Sequence, residues 1–147
     1  MAMNDSISIT TRCRSLRTPR KRALALVEFV AHRETQRIGA LDILVVDSPE
    51  MAEMNQAYLQ HSGTTDVISF ELSEPGEPIV GQLILCGEVA RKAGPTFGNR
   101  PQTELLLYLT HGLLHLMGYD DLSKPERSIM HQRQQELLDA FLAGDGK

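Results

Sequence analysis

Residues 101–121, PQTELLLYLTHGLLHLMGYDD, dictate how the rest of the chain must be arranged. Pro101 opens a helix, because its ring presets φ and its missing N–H is one that a first turn leaves unpaired anyway. Leu105, Leu106, Leu107, Tyr108, Leu109, Leu113, Leu114, Leu116 and Met117 leave that helix no broad polar face, which predicts a buried element. His111 and His115 interrupt the apolar surface, and their spacing puts both imidazoles on one face, a single turn apart. Burying two such rings without partners costs about 1–3 kcal/mol each, so they need hydrogen-bond acceptors, a watered cleft or a shared cation. Zinc answers that need, since neutral imidazole nitrogens are preferred ligands. Gly118 allows the left-handed turn that ends the helix and returns Asp120 and Asp121 towards the open side of the pair. One carboxylate can bind the ion while the other caps the turn or orients a histidine. A pair of core histidines satisfied by hydrogen bonds is the alternative reading.

Working outward, Ser123-x-x-Glu126 is a capping box that opens a last helix, with Met130, Leu137, Leu138, Phe141 and Leu142 on its apolar stripe and an end before Gly144. Upstream, Ser6–Thr10 alternates as a short strand, Thr18 caps a helix whose first residue is Pro19, and Ala23, Leu26, Val27 and Val30 form its stripe. Ile38–Val46 reads as a strand leading into a helix capped by Ser48, on which Met51, Met54 and Tyr58 share a core-packing face. Asp66–Leu72 and Val80–Cys86 read as an antiparallel pair joined by the Pro75-Gly76 turn, followed by a short helix over Gly87–Ala93 and a loop over Gly94–Arg100. The mixed order predicts an α+β fold with a sheet of about four strands.

At 147 residues and 16.4 kDa, the chain 1–147 is expected to form a single domain, large enough to fold without a metal or a disulfide. The 41% hydrophobic content excludes disorder, and no apolar run approaches a membrane span, so the chain reads as a soluble cytoplasmic protein. Cys13 and Cys86 stand apart and outside any paired motif, as incidental thiols. Charge is uneven: residues 1–37 hold eight Lys/Arg against three Asp/Glu, a net +5, and the remainder seven against sixteen, a net −9. Arg14, Arg17, Arg20, Lys21 and Arg22 could follow a phosphate backbone, although a solvated face or an Arg-rich leader explains the same run.

His111-x-x-x-His115-x-x-Gly118-x-x-Asp121 has the spacing of the metzincin zinc motif, with Gly112 where those proteases carry their general-base Glu. A protease or metallo-amidase reading therefore lacks its base. The run His111-Gly112-Leu113-Leu114-His115-Leu116-Met117-Gly118-Tyr119-Asp120-Asp121 resembles the signature of the YbeY endoribonuclease family, His-Gly-x-Leu-His-Leu-x-Gly-Tyr-Asp-His, and departs from it only at Asp121. Thr65-Asp66-Val67-Ile68-Ser69-Phe70 resembles that family's Pro-Thr-Asp-Val-Leu-Ser-Phe strand, with Thr64 in place of the proline and Met54-Asn55 at the family's spacing before it. The likeness spans roughly Ile43 to Leu138.

The resemblance implies a bacterial, zinc-dependent, single-strand-specific endoribonuclease that acts in ribosomal RNA maturation, especially at the 3′ end of 16S rRNA, and in ribosome quality control, with the small ribosomal subunit as a partner. It implies one zinc ion on His111, His115 and Asp121, with a metal-bound water as the reacting group. Asp121 adds negative charge where the family has a histidine, which weakens the Lewis acidity of the ion. The family also places a phosphate-binding arginine where this chain has Leu59, leaving that role to Arg91, Lys92 or Arg100, with His61 as another candidate helper. His32 and His131 receive no function. A ribosome-associated RNA-binding factor with a structural metal is the rival reading that Leu59 and Asp121 keep open.

Overall fold

Alternation along the central strands sets the frame of the molecule. The computed structural model describes residues 6–60 and 63–145. Its elements are β1 (Ile7–Thr11), α1 (Arg20–Arg33), β2 (Ile38–Val46), α2 (Ser48–Leu59), β3 (Val67–Glu71), β4 (Ile79–Cys86), α3 (Gly87–Thr96), α4 (Pro101–Leu116) and α5 (Lys124–Asp145). The strands form a mixed four-stranded sheet in the order β1-β2-β4-β3, so the expected α+β class is found. β1 and β4 both run parallel to β2, while β3 pairs antiparallel with β4 at the sheet edge. Because side chains alternate across a strand, Leu41, Ile43, Val45, Leu83 and Leu85 enter the main core with α1, α4 and α5, whereas Leu44, Val46, Ile84 and Cys86 enter a smaller one with Met51 of α2.

The apolar helix α4 is buried as its composition requires, with Leu106, Leu109, Leu113 and Leu114 at 1% exposure or less. Its approach to the sheet is set by glycine. A Cβ on Gly112 would lie 2.8 Å from Leu83 Cδ2 and 3.2 Å from Val67 Cγ2, and one on Gly81 would lie 2.9 Å from the Phe70 carbonyl oxygen and 3.1 Å from Leu116. Gly112 thus faces β3 and β4, and the position that would hold a protease's base has no room for a carboxylate.

Several element ends differ from the sequence reading, and at α1 and α2 a tertiary partner is responsible. Thr18 does not cap α1: its hydroxyl lies 3.0 Å from that of Thr11, and Pro19 takes the cap position. At α2 the cap position falls on Asp47, whose carboxylate instead accepts from the backbone N–H groups of Arg14 at 2.8 Å and Ser15 at 3.3 Å, while the Ser48 N–H donates to Glu88 of α3 at 3.0 Å. Burial opposes ionisation of Asp47, but hydrogen bonds from Ser15, Arg14 and Cys13 outweigh it and hold the carboxyl below its ordinary range. α3 continues past Gly94 through Pro95, which gives up the i−4 hydrogen bond its N–H would make in the last turn, and α5 continues through Gly144. Tyr58 does not join Met51 in the core; it is 63% exposed, with its ring edge against Phe70. The capping box holds as expected, with Ser123 N–H donating to Glu126 and Glu126 N–H donating to the Ser123 hydroxyl at 3.1 and 3.2 Å.

The glycine contact generates a stability prediction. Gly112→Glu, which restores the protease pattern, forces a carboxylate against Leu83 and Val67 and is expected to cost about 3 kcal/mol or more. Urea denaturation measures this; a variant within about 0.5 kcal/mol of the parent would mean that α4 does not sit as close to β3 and β4 as described.

Candidate metal centre

The two histidines emerge from α4 near the sheet edge. Their ring centroids lie 4.9 Å apart at 77°, as residues one helical turn apart on one face should. Gly118, at φ +101°, ends the helix in a Schellman arrangement: the Gly118 N–H donates to the His115 carbonyl at 3.1 Å and the Tyr119 N–H to the Leu114 carbonyl at 3.0 Å. The turn is then pinned from two sides. Tyr119 Oη donates to Glu34 Oε1 at 2.7 Å, and Arg133 Nε donates to Glu34 Oε2 at 2.6 Å, tying the loop to α1 and α5 together. Burial, followed by the Glu34 hydrogen bond, raises the Tyr119 phenol, which stays a donor well above neutral pH.

This fixed turn brings Asp121 Oδ2 to 3.5 Å from His115 Nε2. One ligand atom from each of His111, His115 and Asp121 lies within 4.8 Å of the others, and all three residues are half-buried. Asp120 takes a different part: its Oδ1 accepts the Asp121 N–H at 2.9 Å and braces the turn. On the far side of His111, the Gln134 amide oxygen lies 2.7 Å from Nδ1. An amide oxygen only accepts, so Nδ1 carries the proton and Nε2 keeps its lone pair. Two imidazole nitrogens and a carboxylate oxygen, one nitrogen preset by an outer hydrogen bond, are a donor set that fits a metal ion.

The group lies in a cleft of about 430 Å³ along the β3 edge, lined among others by Leu59, Asp66, Ser69, Glu71 and Leu116. Among the described residues three carboxylates line it, those of Asp66, Glu71 and Asp121, and no lysine or arginine does. Leu59, 42% exposed, faces the cleft at the position where the family resemblance implies an arginine. The substitute cations named from sequence are not brought here. Lys92 pairs with Glu88 at 3.2 Å, Arg91 is exposed on α3, and Arg100 precedes α4 at the end opposite the histidines, about 16 Å along the axis. The basic N-terminal segment gathers around a separate cavity lined by Arg17, Arg20 and Lys21. His61 lies outside the described residues.

Sequence reasoning passed over α5 as a contributor. His131, assigned no function, lies with its ring 6.3 Å from that of His111, and Gln134 is 7% exposed while bonded to it. Glu34 and Arg133 were equally invisible, because the residues they join are 99 positions apart. A polar residue inside the α5 pattern, such as Gln134 between Met130 and Leu137, was the one available signal.

The family model described as Endoribonuclease YbeY matches residues 7–142, well beyond the Ile43–Leu138 span of the motif resemblance. A protein named Endoribonuclease YbeY from a Nocardioides species is 37% identical over 133 residues, covering 84% of this chain and 89% of that relative. Its namesake from Bacillus subtilis is 33% identical over 128 residues, covering 79% and 82%. A Thermotoga maritima protein solved in solution superposes with a TM-score of 0.66 at 25% identity, covering 94% of this chain and 90% of that one. A family match across nearly the whole chain, on a fold that gathers the motif's His111, His115 and Asp121 at one cleft, leads to one conclusion: the chain belongs to the Endoribonuclease YbeY family.

Proposed function

We propose that this protein is a zinc-dependent endoribonuclease that cleaves single-stranded RNA in ribosomal RNA processing, at the 3′ end of 16S rRNA on the small ribosomal subunit, and in ribosome quality control, in the cytoplasm. The observation that carries the reading is the convergence of His111, His115 and Asp121 within 4.8 Å at a cleft along the sheet edge. The chain is read as one working domain, and among the described residues no helix is long and apolar enough to cross a membrane.

His111 and His115 would hold one zinc ion through their ring nitrogens and Asp121 through its carboxylate. When bound, zinc supplies a Lewis acid that polarises a phosphodiester oxygen and activates water. Gln134 keeps the His111 proton on Nδ1, and Asp120 holds the backbone of the carboxylate ligand in register. The cleft wall is acidic, so a polyanion enters only where that charge is offset. Leu59 beside the cleft favours a slow enzyme and supports the second reading, a ribosome-associated binding factor with a structural metal. Gly112 disfavours an amidase or protease, since its packing leaves no space for a base.

Metal content tests the centre. One zinc per chain is expected by elemental analysis, and His115→Ala should release most of it while the far-ultraviolet spectrum stays native, because the core does not depend on the ion. Asp121→Ala should weaken zinc binding by more than tenfold and Asp120→Ala by less, while Asp121→His should retain it; the opposite order of the two alanine variants would exchange the roles of the carboxylates.

Turnover tests the activity. Chelator-sensitive cleavage of unstructured RNA, with duplex RNA and casein left intact, is expected of the parent and lost in His111→Ala purified alongside. Equal cleavage by both would reveal a contaminant, and zinc-loaded parent that binds RNA tightly without cleaving it would favour the binding factor. Losing one charge-stabilising donor typically costs about 100- to 1000-fold, so Leu59→Arg should raise turnover if charge at that position is limiting.

A further inference from the structure

We propose that Arg127 is the phosphate-binding residue of this cleft, supplying from α5 the positive charge that position 59 lacks. The inference rests on the RNA-cleaving reading and concerns a residue that neither the motif nor its spacing identifies.

Arg127, His131 and Gln134 are spaced i, i+4 and i+7 on α5 and so share one face. That face is turned to the site along its length. Gln134 reaches His111 at 2.7 Å, His131 stands with its ring 6.3 Å from the His111 ring, and Arg127 Nη1 donates to the Asp121 carbonyl at 3.2 Å. The guanidinium is therefore anchored to the backbone of Asp121, the residue that closes the ligand triangle and itself lines the cleft.

Charge makes this placement significant. The cleft is lined by Asp66, Glu71 and Asp121, and a divalent ion does not cancel three carboxylates. Arg12, Lys92 and Arg133 are each paired, with Glu50, Glu88 and Glu34, and the cations of the N-terminal segment line a separate cavity. Arg127 is held by a neutral carbonyl and is exposed, and among the described residues no carboxylate pairs with it, so its remaining N–H groups can meet a phosphodiester oxygen in the forked geometry that suits guanidinium. The two departures of the site then offset each other, since the extra negative charge of Asp121 comes with a cation fastened to its own carbonyl.

The test compares zinc-loaded parent, Arg127→Gln and Arg127→Lys. Zinc stoichiometry is measured beside the affinity of each for a short fluorescent 2′-O-methyl single-stranded oligonucleotide over a range of salt concentrations. Arg127→Gln is expected to keep its zinc, to bind about tenfold or more weakly, and to lower the salt slope by about 0.7, the increment for one phosphate contact on a single strand. Arg127→Lys should keep the slope and lose part of the affinity, because charge survives and the fork does not. Unchanged affinity and slope in Arg127→Gln would overturn the assignment. So would loss of zinc in that variant with full recovery of binding on zinc saturation, because the arginine would then only brace the Asp121 turn. Failure of zinc-loaded parent itself to bind or cleave single-stranded RNA would overturn the RNA reading, and this inference with it.

Discussion

The contact between Gly112 of α4 and the side chains of Leu83 and Val67 governs the rest of the structure. With no side chain at that position, α4 settles directly on β4 and the edge strand β3, and Gly81 lets Leu116 settle in the same way one layer further along. Packing that close buries every leucine of α4 but Leu107 and leaves His111 and His115 at the strand edge where the cleft runs. A bulkier residue would lift the helix and the imidazoles with it. The glycine is thus a requirement of packing first, and the missing protease base is its chemical consequence.

A ligand on a loop needs as much restraint as one on a helix. Asp121 obtains it from three directions: the Schellman turn at Gly118 sets the direction of the chain, Glu34 holds Tyr119, and Asp120 closes onto the Asp121 N–H. The Glu34 carboxylate receives both Tyr119 and Arg133, so one acidic group joins α1, α5 and the ligand turn. The buried Gln134 contact adds an electronic restraint, since it decides which nitrogen of His111 is free. α5, separate from the motif in sequence, is in this sense the outer wall of the site.

The electrostatics show two distinct surfaces. The N-terminal cations collect around α1 and its loop, whereas the walls of the metal-fitting cleft are acidic. A polyanionic substrate cannot be held there by overall charge, which is negative for the chain as a whole. Local positive charge at the ligand turn is what makes the cleft compatible with RNA, and α5 is the element placed to supply it.

Features that repeat with a short period or act within one turn were legible in the chain alone. Helix α4, its glycine stop, the His pair and the Ser123 capping box could be read directly, because helical spacing and local backbone chemistry depend on near neighbours alone. So could the β3–β4 hairpin, from its turn residues. The tertiary structure alone decided the parallel pairing of β2 with β1 and β4, the diversion of Asp47 from capping α2 to holding the loop before α1, the exposure of Tyr58, and the approach of Gln134, His131 and Arg127 to the site. The strand pairings and the Asp47 and Gln134 contacts join groups far apart in the chain, and a residue's affinity for a distant partner leaves no mark on its local pattern. Asp121 stands between the two cases: its register after Gly118 was legible, but its distance from His115 required the fold that holds the turn.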